Sequence, residues 1–413
     1  MSSNSHILII AIAIWFGCFS GSYYFGGINI YPPLILSFFG YLYVFFLLKK
    51  IPQYAVFFIA ALSFYIFMFT LSYLFNFSYD HVYVLELRYI LKAFLIPLGV
   101  SFFILALLSR WNIVPSQISS AIVLVGVLQL SLAILQLAVP SFRQSFFSMI
   151  QLAPSWNYFV EIGHFRTIGL AGLSIYDTSI AYSLLFGMTL FLLRENKVIL
   201  WVIGAVSFFI LMLLSGRTGL IIYLCLMTLI LVKTDVKFKL YLILAITIML
   251  ALVIASMYVE KKELELFFSF AFEFFNSSNG SYESDSTNDL IENHLFIPWN
   301  TNIFIGDHVW AQPSVSKEIG YSYSTDSGYI LSYISMGIAG LISAIVLTIK
   351  VIDGYIVGYS DLFKKDYISI FYFFALCFLV FFIFLKGPIF FSDKFMPVLM
   401  IVFMTEYYRK KLR

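Results

Sequence analysis

Arg88 and Lys92 lie four residues apart, and Arg166, Arg217, Lys386 and Lys394 fall inside or beside long apolar runs. Positions four apart share one helix face, so Arg88 and Lys92 set two like charges side by side unless an anion joins them. A guanidinium pairs with phosphate through parallel N–H···O bonds, and an ammonium holds it as a point charge. Together such cations could grip a phosphate or pyrophosphate and stabilise its charge as it departs. Groups able to take a proton from an attacking hydroxyl are Glu161, His164, Asp307, His308 and Asp326. Each has a plainer alternative. Asp326 or Thr325 suits a helix cap, Arg217 sits in SGRTG, a natural turn between two helices, and Lys386 and Lys394 are long enough to reach headgroups from a helix end.

Composition narrows what those groups can serve. The mean hydropathy is +0.94, and 61% of residues are hydrophobic against 11% charged, which excludes an ordinary soluble domain. Cys18, Cys225 and Cys377 lie in apolar runs and read as packing residues. With five histidines and no HxxxH or HExxH pair, metal catalysis has no support, and no metal or cofactor is expected.

A membrane span needs about 20 mostly apolar residues. About twelve runs qualify, near 7–25, 29–48, 54–75, 86–108, 117–139, 172–193, 198–214, 218–232, 239–258, 326–349, 368–386 and 391–408. Passing through them alternately, with both termini cytoplasmic, gathers fifteen of the 25 Lys and Arg in short cytoplasmic loops and the tail. The predicted organisation is residues 1–258 with nine spans, a large extracytoplasmic loop over 259–325, and residues 326–413 with three spans and a basic tail.

Helical rise then places the remaining cations. Arg217 follows Lys197 by 20 residues, or about 30 Å, the full hydrocarbon thickness. Lys92 precedes Arg110 by 18 residues, about 27 Å, and Lys386 follows Lys365 by 21, about 31 Å. All converge on the outer membrane–water boundary. Asp177 sits near the same level, within reach of an arginine partner. The large loop holds ten acids and three bases, a net charge of −7, which excludes nucleic acid and anionic lipid as its ligands. Its Trp299, Trp310, Tyr321 and Tyr323 among acids and amides suit a polar neutral ligand such as a sugar.

Three segments carry a resemblance: HFRTIGLAGLSIYDTSIAYSLL (164–185), LLSGRTGLIIYL (213–224) and TDSGYILSYISMGIAGLI (325–342). With about twelve spans and a large outer loop before the last three, the chain resembles the Wzy-type O-antigen and capsular polysaccharide polymerases. The resemblance implies an all-α polytopic membrane protein similar to the GT-C-type glycosyltransferases, in the bacterial cytoplasmic membrane. It implies polymerisation of undecaprenyl-pyrophosphate-linked oligosaccharide repeats at the outer face, with no nucleotide sugar and no required metal. The implied partners are that lipid-linked oligosaccharide, the bilayer, and a chain-length regulator and flippase of the same pathway. Arg166 and Arg217 match the family's outer-face arginines and would hold the donor pyrophosphate, with Arg88 and Lys92 as further anion-binding candidates. Gly216 and Gly219 would let backbone N–H groups approach the anion. Asp326 occupies the slot where the related O-antigen ligases carry His, which favours polymerase over ligase; Asp326, Glu161 and His308 are the catalytic candidates. A lipid-linked oligosaccharide flippase is the alternative from another class, but it would be expected to place charges near the midplane and to lack the long loop.

Overall fold

The sequence VILWVIGAVSFFILMLLS, residues Val198–Ser215, holds no charged residue and is apolar on every side. A helix of that kind is stable only in apolar surroundings, where every backbone group must be satisfied along the helix itself. The computed structural model describes residues 3–48, 50–76, 80–150, 169–170, 176–189, 192, 197–216, 218–224, 227, 247, 301–307, 327–359 and 392–412. They are mostly helical: α1 (Ser3–Phe19), α2 (Pro32–Leu47), α3 (Gln53–Asn76), α4 (Asp80–Trp111), α5 (Pro115–Ala138), α6 (Pro140–Met149), α7 (Tyr176–Met188), α8 (Val198–Ser215), α9 (Gly328–Tyr359) and α10 (Phe395–Leu412). Among the described residues, five stretches are long and apolar enough to cross a membrane: Gln53–Phe75, Ile90–Trp111, Pro115–Ala138, Val198–Ser215 and Gly328–Ile349. This is an α-helical membrane protein.

Helix starts follow local chemistry. Proline opens α2, α5 and α6, where its missing N–H costs nothing. At α5 the Gln117 side chain reaches back to accept the Val114 N–H at 3.0 Å. Between α1 and α2 the chain forms a hairpin, β1 (Tyr23–Phe25) and β2 (Ile28–Ile30), with Phe25 opposite Ile28. Its two-residue loop is Gly26–Gly27, both at positive φ (53° and 91°), the turn whose twist matches that of the strands. The first apolar run therefore ends at Phe19 as a helix, and the hairpin takes up residues that hydropathy alone counts as span.

The chain divides into two units, one of residues 1–48, 99–273 and 397–413 and the other of 49–98 and 274–396. In the first, small residues let helices meet closely, as expected where lipid supplies no hydrophobic drive. Ser37 and Gly40 of α2 face Gly99 of α4, and a Cβ on Gly40 would stand 2.7 Å from the Phe103 nitrogen. Gly126 of α5 lies against the Phe208 ring and Gly204 of α8 against Val123, so α5 and α8 run parallel. Tyr182 and Phe186 of α7 meet Phe208 and Trp201 of α8, so those two run antiparallel. At one end of this unit His6 stacks on Trp111 and Tyr408 donates to the Leu108 carbonyl at 2.9 Å. At the other, Tyr23 bridges to Ile150 and donates to the Leu170 carbonyl at 2.7 Å. These senses agree with a chain that alternates direction from span to span.

In the second unit α3 runs antiparallel to α9. Ser72 donates to the Ser335 carbonyl at 3.1 Å, and Tyr65 meets Ser343 about two helical turns further along. Helix α9 is broken at Gly337 (φ 64°, ψ −152°), and residues 301–307 pack into the break.

Candidate functional site

SGRTG joins α8 to the helical residues 218–224, and one side chain of α7 holds both of its ends. Ser179 donates to the Gly216 carbonyl and accepts the Gly219 N–H at 3.1 Å. Gly219 itself lies so close to the backbone of Ser179 that a Cβ there has no room. Arg217 lies between these two held glycines in the sequence; its own placement is outside the described residues. The bond to Ser179 is buried, so removing the hydroxyl strands a carbonyl and an N–H. Ser179→Ala is expected to lower stability by about 1–3 kcal/mol, read as the thermal unfolding midpoint of the purified protein in detergent, while Ser179→Thr keeps the hydroxyl and most of that stability.

The turn after Arg166 is anchored in the same unit. Gly169, at φ 78°, donates its N–H to the Gln136 side-chain oxygen at 2.6 Å, and the Gln136 amide nitrogen donates back to the Gly169 carbonyl at 3.3 Å. A Cβ on Gly169 would collide with the Gln129 side chain. Gln129 in turn accepts from the Trp15 indole at 2.6 Å and donates to the Tyr182 hydroxyl at 2.8 Å. Tyr182 stands one turn along α7 from Ser179. Gly169 thus bonds Gln136 and lies against Gln129, Gln129 bonds Tyr182 of α7, and one turn away on α7 Ser179 holds the SGRTG turn. These contacts bring the positions that flank Arg166 and Arg217 to the same end of one unit. Asp177, in the first turn of α7, is buried, and its carboxylate accepts from the N–H of Thr178 at 2.6 Å and from its hydroxyl at 3.2 Å.

The other cations belong to the second unit. Arg88 and Lys92 both lie exposed near the start of the apolar stretch of α4. Lys394 is 6% exposed and pairs with Asp393 at 3.6 Å, and the charges of Lys394 and Lys92 both bear on the Asp393 carboxylate. A lysine that merely reached for headgroups would be exposed, so burial and pairing set the snorkelling alternative aside for Lys394. Replacing Asp393 by Ala takes the paired carboxylate from the buried Lys394 ammonium, whereas Lys394→Met keeps the stem and removes the buried charge. The first is expected to lower the thermal midpoint in detergent more than the second; two neutral replacements would instead describe a headgroup-seeking lysine.

Of the remaining sequence candidates, Glu161, His164, Arg166, Arg217, His308, Asp326 and Lys386 lie outside the described residues. At the start of α9 the cap is Ser327, whose hydroxyl accepts the Ile330 N–H at 3.5 Å and whose carbonyl accepts the Leu331 N–H at 2.9 Å. Sequence reasoning missed Ser179, Gln129, Gln136 and Asp393. A signal existed for the glutamines: two amides seven residues apart share a helix face inside an otherwise apolar run. Among the described residues no three His, Cys, Asp or Glu gather to hold a metal. Compared with known protein families and with curated proteins, the chain matches none.

Proposed function

We propose that this protein is a membrane glycosyltransferase that polymerises undecaprenyl-pyrophosphate-linked oligosaccharide repeats into an O-antigen or capsular polysaccharide. The reaction takes place at the outer face of the bacterial cytoplasmic membrane, on a chain of about twelve spans with both termini inside. The observation that supports this reading is that Gln136 holds Gly169 while Ser179 holds Gly216 and Gly219, so that the flanks of both arginine positions are anchored at one end of one unit. At the opposite end of that unit, Trp111 and Tyr408 each adjoin a basic residue, Arg110 and Arg409, and basic residues favour the cytoplasmic side.

In this mechanism Arg166 and Arg217 hold the donor pyrophosphate. A hydroxyl of the incoming repeat attacks the anomeric carbon of the growing chain and its proton passes to a carboxylate or imidazole, with Asp326, Glu161 and His308 the candidates. The bond from that carbon to the pyrophosphate oxygen breaks, and the arginines stabilise the negative charge as undecaprenyl pyrophosphate leaves. The test is reconstitution of the purified protein in vesicles with the lipid-linked repeat extracted from its own strain. Elongation with release of undecaprenyl pyrophosphate, without nucleotide sugar, is the expected result. Dependence on a nucleotide sugar, or movement of the intact lipid-linked unit across the bilayer without elongation, would overturn the reading.

A further inference from the structure

Residues 301–307 splice open one rung of a membrane helix. In an unbroken helix the Ile338 N–H would bond the Ile334 carbonyl four residues back. Here the Ile338 N–H donates to the Ile303 carbonyl at 2.7 Å, and the Ile334 carbonyl accepts the Asp307 N–H at 2.7 Å. Each group freed by the break thus takes a partner from the inserted segment. Two glycines permit the approach, one from each side. Gly306 (φ 68°) lies against the backbone of residues 334–336, and a Cβ there would stand 2.5 Å from the Ser335 carbonyl carbon. Gly337 (φ 64°) lies against residues 303–305, where a Cβ would stand 2.5 Å from the Ile303 oxygen.

The splice lies within the apolar stretch and not at its edge. Ile334 and Gly337 come six and nine residues after Gly328, about 9 and 14 Å along the axis, in an apolar stretch of 22 residues. Irregular backbone at hydrocarbon depth persists only where protein or a water-filled cleft surrounds it. The segment meets that condition unevenly. Ile303 and Phe304 expose apolar surface (56% and 75%), which suits lipid. Asp307 is partly exposed, and its carboxylate accepts the Asn302 N–H at 3.1 Å, closing the 302–307 turn. A carboxylate at that depth is costly and marks a site where a polar ligand or water enters. A hard cation would require six or more oxygen ligands, and no cluster of acids gathers with Asp307 among the described residues. A sugar hydroxyl requires one acceptor.

We propose that residues 301–307 form a re-entrant turn and that Asp307 is a binding residue for a saccharide hydroxyl at membrane depth. In the reading above, on which the identity of the ligand rests, that saccharide is the acceptor repeat. The turn is tested with single cysteines at Phe304 and, as the control, at Ser281, which the sequence puts in the large extracytoplasmic loop, in a chain whose three native cysteines are alanine. A membrane-impermeant maleimide is expected to label the control and leave position 304 unlabelled, while a permeant apolar maleimide labels both. Equal labelling by the impermeant reagent overturns the re-entrant turn.

The carboxylate is tested with Asp307→Asn, whose amide oxygen still accepts the Asn302 N–H, so that the turn is kept and only the charge is lost. Two readouts on the purified protein separate this proposal from the polymerase reading: elongation of the native lipid-linked repeat, and the rise in thermal midpoint caused by the delipidated repeat oligosaccharide. At an unchanged midpoint without ligand, Asp307→Asn is expected to lose at least tenfold in elongation and most of the oligosaccharide-induced rise. If the wild type is stabilised but does not elongate, and the variant loses the stabilisation, the Asp307 site stands and the polymerase reading falls. An Asp307→Asn protein matching the wild type in both, or a wild type that the oligosaccharide does not stabilise, overturns the Asp307 site.

Discussion

Arg217→Ala is expected to reduce elongation by about 10²- to 10³-fold, the loss seen when one preorganised donor to a developing negative charge is removed. In the proposed reaction the leaving group would carry its charge on phosphate oxygens, which the guanidinium would offset. Arg217→Lys should fall between the two, because an ammonium keeps the charge and loses the two-pronged geometry. Arg166→Ala is expected to act alike, and the double variant should lose less than the product of the single losses, since groups that hold one anion together are not additive. The measurement is the rate and modal length of polymer on glycan gels, with the amount of inserted protein matched by immunoblot. Single variants that leave polymer length unchanged at matched insertion would remove the pyrophosphate clamp from this account.

Gly337→Ala and Gly306→Ala are expected to be the most damaging single changes to the folded state of the second unit. Each forces a side chain into the left-handed region, at roughly 1–2 kcal/mol, and each sets a Cβ against backbone that has no flexible end to give way, at roughly 1–3 kcal/mol more. Loss of about 2–5 kcal/mol follows for either one, measured as the thermal midpoint in detergent. Gly26→Ala is the internal comparison. It has φ 53° but nothing within 4 Å of a Cβ, so it should pay only the conformational part, about 1–2 kcal/mol. The contrast separates strain at one residue from the fit between two segments. Equal effects at positions 26 and 337 would mean that the splice is not closely packed.

The positions of the described helices were legible because apolar runs of span length have few alternatives in a chain this hydrophobic. The features inside those runs were not. Gly26–Gly27 is a readable hairpin turn, yet it is flanked by Tyr23, Tyr24, Phe25 and Ile30, and the apolar runs 7–25 and 29–48 count all four as span. Gly337 stands in SMGIAG, where a glycine is as ordinary as its neighbour Gly340; its φ becomes necessary only through a segment more than 30 residues away. Ser179 reads as one serine among several in SIYDTSIAYS, and nothing local says that its hydroxyl meets Gly216 and Gly219. Asp393 precedes Lys394 and looks self-neutralising in sequence, whereas Lys92, some 300 residues earlier, bears on the same carboxylate. Periodicity reports which residues avoid water. It does not report which polar groups meet across helices, and those meetings make the candidate site.

The most direct test of the central claim is deletion of this gene in its native strain, followed by gel analysis of the surface glycan. The account predicts that the long ladder collapses to a core bearing a single repeat, restored by the wild-type gene and not by Arg217→Ala. A bare core with lipid-linked polymer accumulating would identify a ligase instead, and an unchanged ladder would contradict both.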